Sequence, residues 1–267
     1  MDTIIFDLDD TLVVDEASAA AAFLDACEVA KSAAGIPPGE LHSTIKRVCR
    51  EIWRTSPARA YAVRIGISSW EALWADFEGD DDNLKVLRAW APFYRMNSWL
   101  GALRHHGLDD EALALELVKT YIESRRKRHV VYDDVMPCLD ELKHSHKLGL
   151  LTNGEPGLQR RKINGAGFGP YFSTIVISGE EGIGKPDARI FRTVLSRLGV
   201  TPDATLMIGN NLTTDIKGAQ AVGMKAAWIN RSGKPLDDSV QPDFVVSNLS
   251  EVTKALKSGQ IHAGKSD

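Results

Sequence analysis

The second half of the chain alternates short apolar runs with helical patterns, and this alternation constrains the fold more than any other feature of the sequence. From His129 on, we predict strands at 147–152, 173–178, 205–208, 225–229 and 244–246, with helical patterns between them. Parallel strands need long crossover connections, which are usually helices. The alternation therefore predicts an α/β fold with a doubly wound parallel sheet covered by helices on both faces.

A further strand is predicted near the N-terminus, where residues 1–11 read MDTIIFDLDDT. Its apolar run, Ile4–Phe6, is bounded by polar residues, which is typical of a buried strand. Side chains at positions i and i+2 of an extended segment point to the same side, so Asp7 and Asp9 would project together. Two carboxylates this close need a cation or a shared proton. The pair therefore indicates a metal site or a catalytic pair; the alternative is a loop in which the acids are merely solvated.

The pattern between these two regions is entirely helical, which predicts an insertion into the α/β fold. We predict a core of residues 1–14 plus 129–259, a helical insertion at 15–128 and a disordered tail at 260–267. An insertion of this size needs its own core, and large aromatic rings would supply much of it. It contains five of the six tryptophans: Trp53, Trp70, Trp74, Trp90 and Trp99. The alternative is that these rings line a binding surface.

Bulk properties exclude several classes of function. The net charge of −4 gives no reason to expect a nucleic acid or an anionic membrane as partner. No apolar run approaches the roughly 20 residues needed to span a bilayer, and no signal peptide is recognisable. Three widely spaced cysteines are typical of a reducing compartment rather than of a disulfide framework. We therefore expect a cytoplasmic protein, either a monomer or a homodimer.

Polar residues follow the predicted strands at the edge where an open α/β sheet binds ligands. In chain order they are Asp7, Asp9, Thr152, Asn153, Gly154, Lys185, Asn210 and Asp215. In isolation, Thr152 and Asn153 would be read as a strand-ending turn, and Lys185 as a solvated loop lysine. Because all of these residues converge on one edge, together they predict a functional site there.

Four motifs in these segments resemble those of the haloacid dehalogenase superfamily, in its phosphatase branch. They are DLDDT (7–11), TNG (152–154), GKPD (184–187) and GNNLTTD (209–215), in the family's order. The helical insertion resembles the family's cap domain, which in such enzymes selects the substrate. Among the subfamilies, the long cap and the TNG motif are most similar to N-acylneuraminate-9-phosphatase-like enzymes.

The resemblance implies a magnesium-dependent phosphatase that acts on a small phosphate ester through an aspartyl-phosphate. It implies that Asp7 is the nucleophile and that Asp9 is the general acid and base. The implied Mg²⁺ ligands are the Asp7 carboxylate, the Asp9 backbone carbonyl and the fourth motif, with Asn210 and Asp215. The implied phosphate-binding groups are the Thr152 hydroxyl, the amides of Asn153 and Gly154, and the Lys185 ammonium group. The resemblance also implies a catalytic role for Lys185, which would neutralise the transferring group and the carboxylates.

The fourth motif departs from the family pattern, which more often reads Gly-Asp where this chain has Gly209-Asn210. An amide oxygen can ligate Mg²⁺ but brings no charge, so we expect weaker metal binding rather than loss of activity. Three alternatives stay open at this point. The first is a dehalogenase, against which Asp9 argues because the dehalogenase pattern lacks a second acid. The second is a sugar phosphomutase, which would keep every motif. The third, which Asn210 allows, is a non-catalytic binding protein.

Overall fold

The computed structural model describes residues 1–236 and 239–261, and the chain divides into two compact units. The first, which we call the α/β unit, contains residues 1–14, 130–154 and those from Gln159 on. The second, which we call the helical unit, contains residues 15–129 and 155–158.

Residues 155–158 differ from the predicted domain boundaries, because they lie with the helical unit although they follow the second strand of the sheet. Leu158 is fully buried in the apolar core of the helical unit. His129 also lies with the helical unit, one residue beyond its predicted end.

The secondary structure agrees closely with the predicted strands, whose ends match to within one residue. The strands are β1 (Thr3–Phe6), β2 (Lys147–Thr152), β3 (Thr174–Ile177), β4 (Thr205–Gly209), β5 (Lys225–Ile229) and β6 (Phe244–Val246). The helices are α1 (Glu16–Ala34), α2 (Pro38–Trp53), α3 (Arg59–Ile65), α4 (Ser69–Ala72), α5 (Asp82–His105), α6 (Glu111–Lys127), α7 (Val135–Leu142), α8 (Pro156–Gly165), α9 (Ser178–Glu181), α10 (Ala188–Leu198), α11 (Lys217–Gln220) and α12 (Leu249–Lys257).

The six strands form one parallel sheet in the order β3-β2-β1-β4-β5-β6, which confirms the predicted fold class. β1 is central, with Phe6 in register with Leu150 on one side and Ile208 on the other. Alternate side chains of a strand point to opposite faces. Ile4 and Phe6 accordingly lie in one apolar cluster, whereas Ile5 lies in a second one. The sheet is thus buried on both faces, and the residues after Phe6 emerge at its carboxyl edge.

The helical unit has its own apolar core, to which all five of its tryptophans contribute. Trp53, Trp74 and Trp99 are buried in it, and Trp70 and Trp90 are partly buried and pack against it. The prediction that these rings form a core is therefore confirmed.

The first two residues of the tail that we predict to be disordered are described by the structure. The backbone N–H of Gln260 donates to the Ala255 carbonyl, and Ile261 is buried in the core of the α/β unit. The apolar Ile261 side chain extends the packing of α12, which the sequence patterns did not reveal. The remainder of that tail, residues 262–267, lies outside the described residues.

Candidate active site

The carboxylate of Asp7 is buried at the carboxyl edge of the central strand. The backbone N–H of Asp7 donates to the Ile208 carbonyl at 2.9 Å, which continues the sheet by one residue beyond β1. Its Oδ2 accepts a hydrogen bond of 2.8 Å from the Thr11 hydroxyl, and its Oδ1 accepts one of 2.6 Å from Lys185 Nζ. Both carboxylate oxygens are therefore held, and Asp7 is only 5% exposed.

Lys185 joins Asp7 to the fourth motif through a fully buried ammonium group. Besides Asp7, its Nζ lies 2.7 Å from Oδ1 of Asp215 and donates to the Leu151 carbonyl at 2.9 Å. The ammonium group thus donates hydrogen bonds to Asp7 and to the Leu151 carbonyl and forms an ion pair with Asp215. The structure therefore places Lys185 between two carboxylates. It is not the solvated loop lysine that its own motif, read alone, would indicate.

The charges at this centre do not balance. Burial raises the pKa of Asp7 to about 6; Lys185 opposes this shift, and the nearby Asp215 carboxylate adds to it. Burial alone would lower the pKa of Lys185, but Asp215 and Asp7 outweigh it and raise that pKa above its ordinary value. Lys185 therefore stays charged, but its single formal positive charge faces the two formal negative charges of Asp7 and Asp215, an excess that a further cation would offset.

Asp9 has two partners on α8. Its Oδ2 accepts a 2.8 Å hydrogen bond from Gln159 Nε2, and its Oδ1 pairs with Lys162 Nζ at 2.7 Å. The sequence argument expected one cation to relieve Asp7 and Asp9 together. Instead, each aspartate has its own lysine. Neither Gln159 nor Lys162 was predicted as a site residue, although their spacing of three places them on one face of a helix.

The side chain of Asn153 connects the TNG loop to the loop of Lys185. Its Nδ2 donates to the Lys185 carbonyl at 2.9 Å, and its Oδ1 accepts from the Lys185 N–H at 2.8 Å. The other two residues of the motif also have protein partners. Thr152 Oγ1 accepts a 2.6 Å hydrogen bond from Gln159 Nε2, and the Gly154 N–H donates to the Ser178 hydroxyl at 2.9 Å. The Gly154 amide, expected to bind phosphate, is thus directed at a serine in this structure.

The fourth motif brings Asp215 against the end of β4. Asp215 Oδ2 accepts a 3.0 Å hydrogen bond from the Asn211 N–H, and its side chain packs so closely on Gly209 that a Cβ there would collide with the carboxylate. The backbone carbonyl of Asn210 accepts from Trp228 Nε1 at 2.9 Å. Gly209 is therefore required by the approach of Asp215, which helps to explain the glycine in this motif.

The donor chemistry of the site fits a magnesium ion, although the acids alone do not form a complete set of ligands. Among the residues that the structure describes, no group of three or more His, Cys, Asp or Glu is arranged to hold a metal ion. The acids joined through Lys185, Asp7 and Asp215, offer carboxylate oxygens, which are among the hard ligands that Mg²⁺ prefers. The excess negative charge of Asp7 and Asp215 over Lys185 also favours a cation.

Comparison with known proteins agrees with this fold. A model of the haloacid dehalogenase-like hydrolase family matches residues 1–223. The phosphoserine phosphatase of Thermus thermophilus is 37% identical over 253 residues, which cover 94% of this chain and 98% of that protein. The N-acylneuraminate-9-phosphatase of Mus musculus is 38% identical over 168 residues, which cover 61% of this chain and 68% of that protein.

A solved structure shows the same fold. The magnesium-bound HAD-hydrolase YfnB of Bacillus subtilis matches with a TM-score of 0.65 at 24% identity, covering 96% of this chain and 98% of that one. The chain belongs to the haloacid dehalogenase-like hydrolase family and is an enzyme of its phosphatase type. In the described ranges, no helix combines the length and the apolar character needed to cross a membrane.

Proposed function

We propose that the protein hydrolyses a small-molecule phosphomonoester in two steps, through an aspartyl-phosphate on Asp7. The observation that carries the proposal is the buried Asp7 carboxylate, fixed between the Thr11 hydroxyl and the Lys185 ammonium group at the carboxyl edge of the sheet. A fixed nucleophile beside a fixed positive charge is what phosphoryl transfer requires, because the protein contributes mainly positioning and electrostatic stabilisation.

In the first step, a carboxylate oxygen of Asp7 forms a bond to phosphorus while the bond to the ester oxygen breaks. Asp9 donates a proton to that departing oxygen. In the second step, Asp9 takes a proton from water, whose oxygen attacks the aspartyl-phosphate and releases inorganic phosphate and the Asp7 carboxylate. Two carboxyl groups with different environments are needed for these two roles, and the separate partners of Asp7 and Asp9 supply them.

Magnesium is the cofactor that we propose for this site. Its ligands would be the Asp7 carboxylate, the Asp9 backbone carbonyl and groups of Asn210 and Asp215. When bound, the ion would offset the negative charge of Asp7 and of the substrate phosphate. Support comes from the oxygen donors and the raised pKa of Asp7.

Three of the groups proposed to bind the phosphate lie at the end of β2, and the fourth lies in the loop between α9 and α10. They are the Thr152 hydroxyl, the backbone amides of Asn153 and Gly154, and Lys185. For Gly154 to take part, its N–H would have to exchange the Ser178 hydroxyl for a phosphate oxygen. Substrate binding would therefore rearrange this contact.

We also propose a cytoplasmic location and a monomeric or homodimeric state, with no nucleic-acid or membrane partner. Support comes from the net charge of −4 and from the cysteines, which are all free and buried. Burial raises the pKa of Cys27, and that of Cys138, to about 12, so both are held as unreactive thiols that suit a reducing compartment.

The test is a screen of phosphomonoesters with and without Mg²⁺, read out as inorganic phosphate. The name of the Thermus relative makes phosphoserine the first substrate to include, followed by sugar phosphates, nucleotides and phosphoglycolate. We expect turnover of at least one ester, dependent on Mg²⁺, with a phosphorylated Asp7 detectable after rapid quenching. Transfer of phosphate to a second sugar position would indicate a phosphomutase, and no turnover of any ester would contradict the proposal.

A further inference from the structure

Gln159 and Lys162 have no role in the mechanism above, yet both are buried and both contact Asp9. They lie three residues apart on α8, so their side chains leave the same face of the helix. One holds Oδ2 of Asp9 at 2.8 Å and the other holds Oδ1 at 2.7 Å. A carboxylate with each oxygen held by a different side chain has a fixed plane.

We infer that Gln159 and Lys162 are positioning residues that orient the carboxylate of Asp9 for proton transfer. The inference rests on the proposed function, in which Asp9 protonates the departing oxygen and then activates water. A general acid must lie within hydrogen-bond reach of the atom that it protonates, so a rotated carboxylate transfers its proton poorly.

The contacts of Gln159 show that it does more than fill space. Its Nε2 lies within 3 Å of three oxygens: Asp9 Oδ2, Thr152 Oγ1 at 2.6 Å and the Asn153 carbonyl at 2.9 Å. The Asn153 carbonyl and an ionised Asp9 carboxylate can only accept hydrogen bonds, so the amide nitrogen, and not the amide oxygen, must face them. Gln159 therefore links Asp9 directly to the TNG motif that is proposed to hold the phosphate.

The amide oxygen of Gln159 gives a second reason to assign a functional role. Oε1 is buried and lacks a hydrogen-bond partner among the described residues. A buried acceptor without a partner is unfavourable, and an apolar residue of similar size would avoid that cost. Glutamine at this position is therefore better explained by the oxygens that its nitrogen orients than by the stability of the core.

Lys162 admits a simpler explanation, which the experiment must separate from ours. A buried ammonium group needs a counter-ion, and Asp9 would serve as one even without any catalytic consequence. If the pair served only stability, its loss would slow all substrates alike. If Lys162 positions Asp9, its removal would slow mainly the reaction of substrates whose departing oxygen needs a proton.

The experiment compares two aryl phosphates that differ mainly in their leaving group. Phenyl phosphate releases a basic phenolate that needs a proton, whereas p-nitrophenyl phosphate releases a stabilised phenolate that leaves without one. The variants are Gln159→Leu and Lys162→Met, which probe the same carboxylate from two sides, so a folding failure of one leaves the other informative. The control is Arg160→Gln on the same helix, which removes only a solvent-exposed pair with Glu180.

Rapid-quench kinetics measure the rate at which Asp7 is phosphorylated by each ester. For both variants we expect the phenyl phosphate rate to fall at least ~10-fold more than the p-nitrophenyl phosphate rate, since general acid catalysis contributes about 10²–10⁴-fold. Because the second step still needs Asp9 as a base, p-nitrophenolate should appear as a burst followed by slow turnover. Arg160→Gln should match the unaltered enzyme on both esters.

Three other outcomes would overturn the inference. Equal losses on both esters would assign Gln159 and Lys162 a purely structural role. Rates like those of Arg160→Gln would show that Asp9 needs neither residue. Absence of Asp7 phosphorylation in the unaltered enzyme would instead reject the proposed function itself, and the inference with it.

Discussion

Lys185 Nζ lies 2.6 Å from Oδ1 of Asp7, although the two residues are 178 positions apart in the chain. The contact is buried and leaves the lysine with no bulk water around it. The positive charge therefore acts at short range on the oxygen of the proposed nucleophile, where a low local dielectric strengthens it. It stabilises the carboxylate form that must attack phosphorus and also holds it in one orientation.

Asp7→Asn should abolish phosphatase turnover while leaving the fold intact. The amide has the shape of the carboxylate but cannot form an acyl phosphate by the same attack. Turnover of p-nitrophenyl phosphate with Mg²⁺ measures the effect, and thermal unfolding checks the fold. Turnover like that of the unaltered enzyme would reject Asp7 as nucleophile.

The same substitution isolates the pH dependence that Asp7 confers on stability. Its pKa rises from 3.8 to about 6 on folding, chiefly because it is buried, so the folded state binds more protons than the unfolded state between these values. The stabilising contribution of this proton uptake to the unfolding free energy is complete below about pH 4. It is lost as the pH rises through about 6, a change of at most about 3 kcal/mol. In metal-free protein, the unfolding free energy of the unaltered chain minus that of Asp7→Asn should fall over this window. A difference that stays constant with pH would contradict the raised pKa.

Lys185→Met should destabilise the protein by about 3–5 kcal/mol, because it leaves Asp7 and Asp215 buried without their shared cation. Lys225→Met is the matched control. Lys225 pairs with Asp243 at 2.7 Å but is 43% exposed, so its loss should cost no more than about 1 kcal/mol. Urea unfolding at neutral pH measures both. Equal costs for the two variants would show that the buried charges are not coupled as the geometry indicates.

The sheet and the positions of the two acids proposed to be catalytic were predictable because their signals are local. A buried strand shows as an uninterrupted apolar run, and the carboxyl ends of parallel strands lie at one edge whatever their order. The order of the strands was not predictable in this way. It depends on pairings such as Phe6 with both Leu150 and Ile208, which no local pattern encodes.

The partners of Asp9 escaped prediction for a related reason. Gln159 and Lys162 lie 150 and 153 residues from Asp9, on a helix and not at a strand end. Polar residues on a helix are usually exposed to solvent, and the sequence does not distinguish the few that are buried. Gln159 and Lys162 therefore look like ordinary surface residues in the sequence. Only their separation by three, on the helix that follows the TNG motif, pointed to a shared face.

Asn210→Asp should strengthen magnesium binding by restoring a charge where the family pattern more often has one. We expect the Mg²⁺ concentration for half-maximal turnover to fall about tenfold, since the number of charged ligands sets the affinity of such sites. The control is Asn211→Asp, one residue further on. Asn211 caps the turn by accepting from the N–H groups of Thr213 and Thr214, a role that aspartate also fills. If both variants shift the Mg²⁺ dependence equally, the effect is one of general charge and Asn210 is not a ligand.

Gly154→Ala should destabilise the protein more than Gly167→Ala, although both glycines have a positive φ. Gly167, with φ of 72°, has nothing within 4 Å of the position that a Cβ would take, so its replacement costs only the backbone strain, about 1 kcal/mol. Gly154, with φ of 143°, would place a Cβ 2.9 Å from Cγ and Cδ of Gln159. That contact should add a further ~1–3 kcal/mol.

The displaced group in Gly154→Ala is the side chain that holds Asp9, so activity should fall together with stability. Phosphorylation of Asp7 by phenyl phosphate should slow more than phosphorylation by p-nitrophenyl phosphate, as for Gln159→Leu, because a shifted Gln159 no longer fixes the acid. Denaturant unfolding and rapid-quench kinetics measure the two effects on the same samples. A Gly154→Ala enzyme as stable and as active as Gly167→Ala would show that Gln159 moves aside freely, and the glycine of the TNG motif would then serve only the turn.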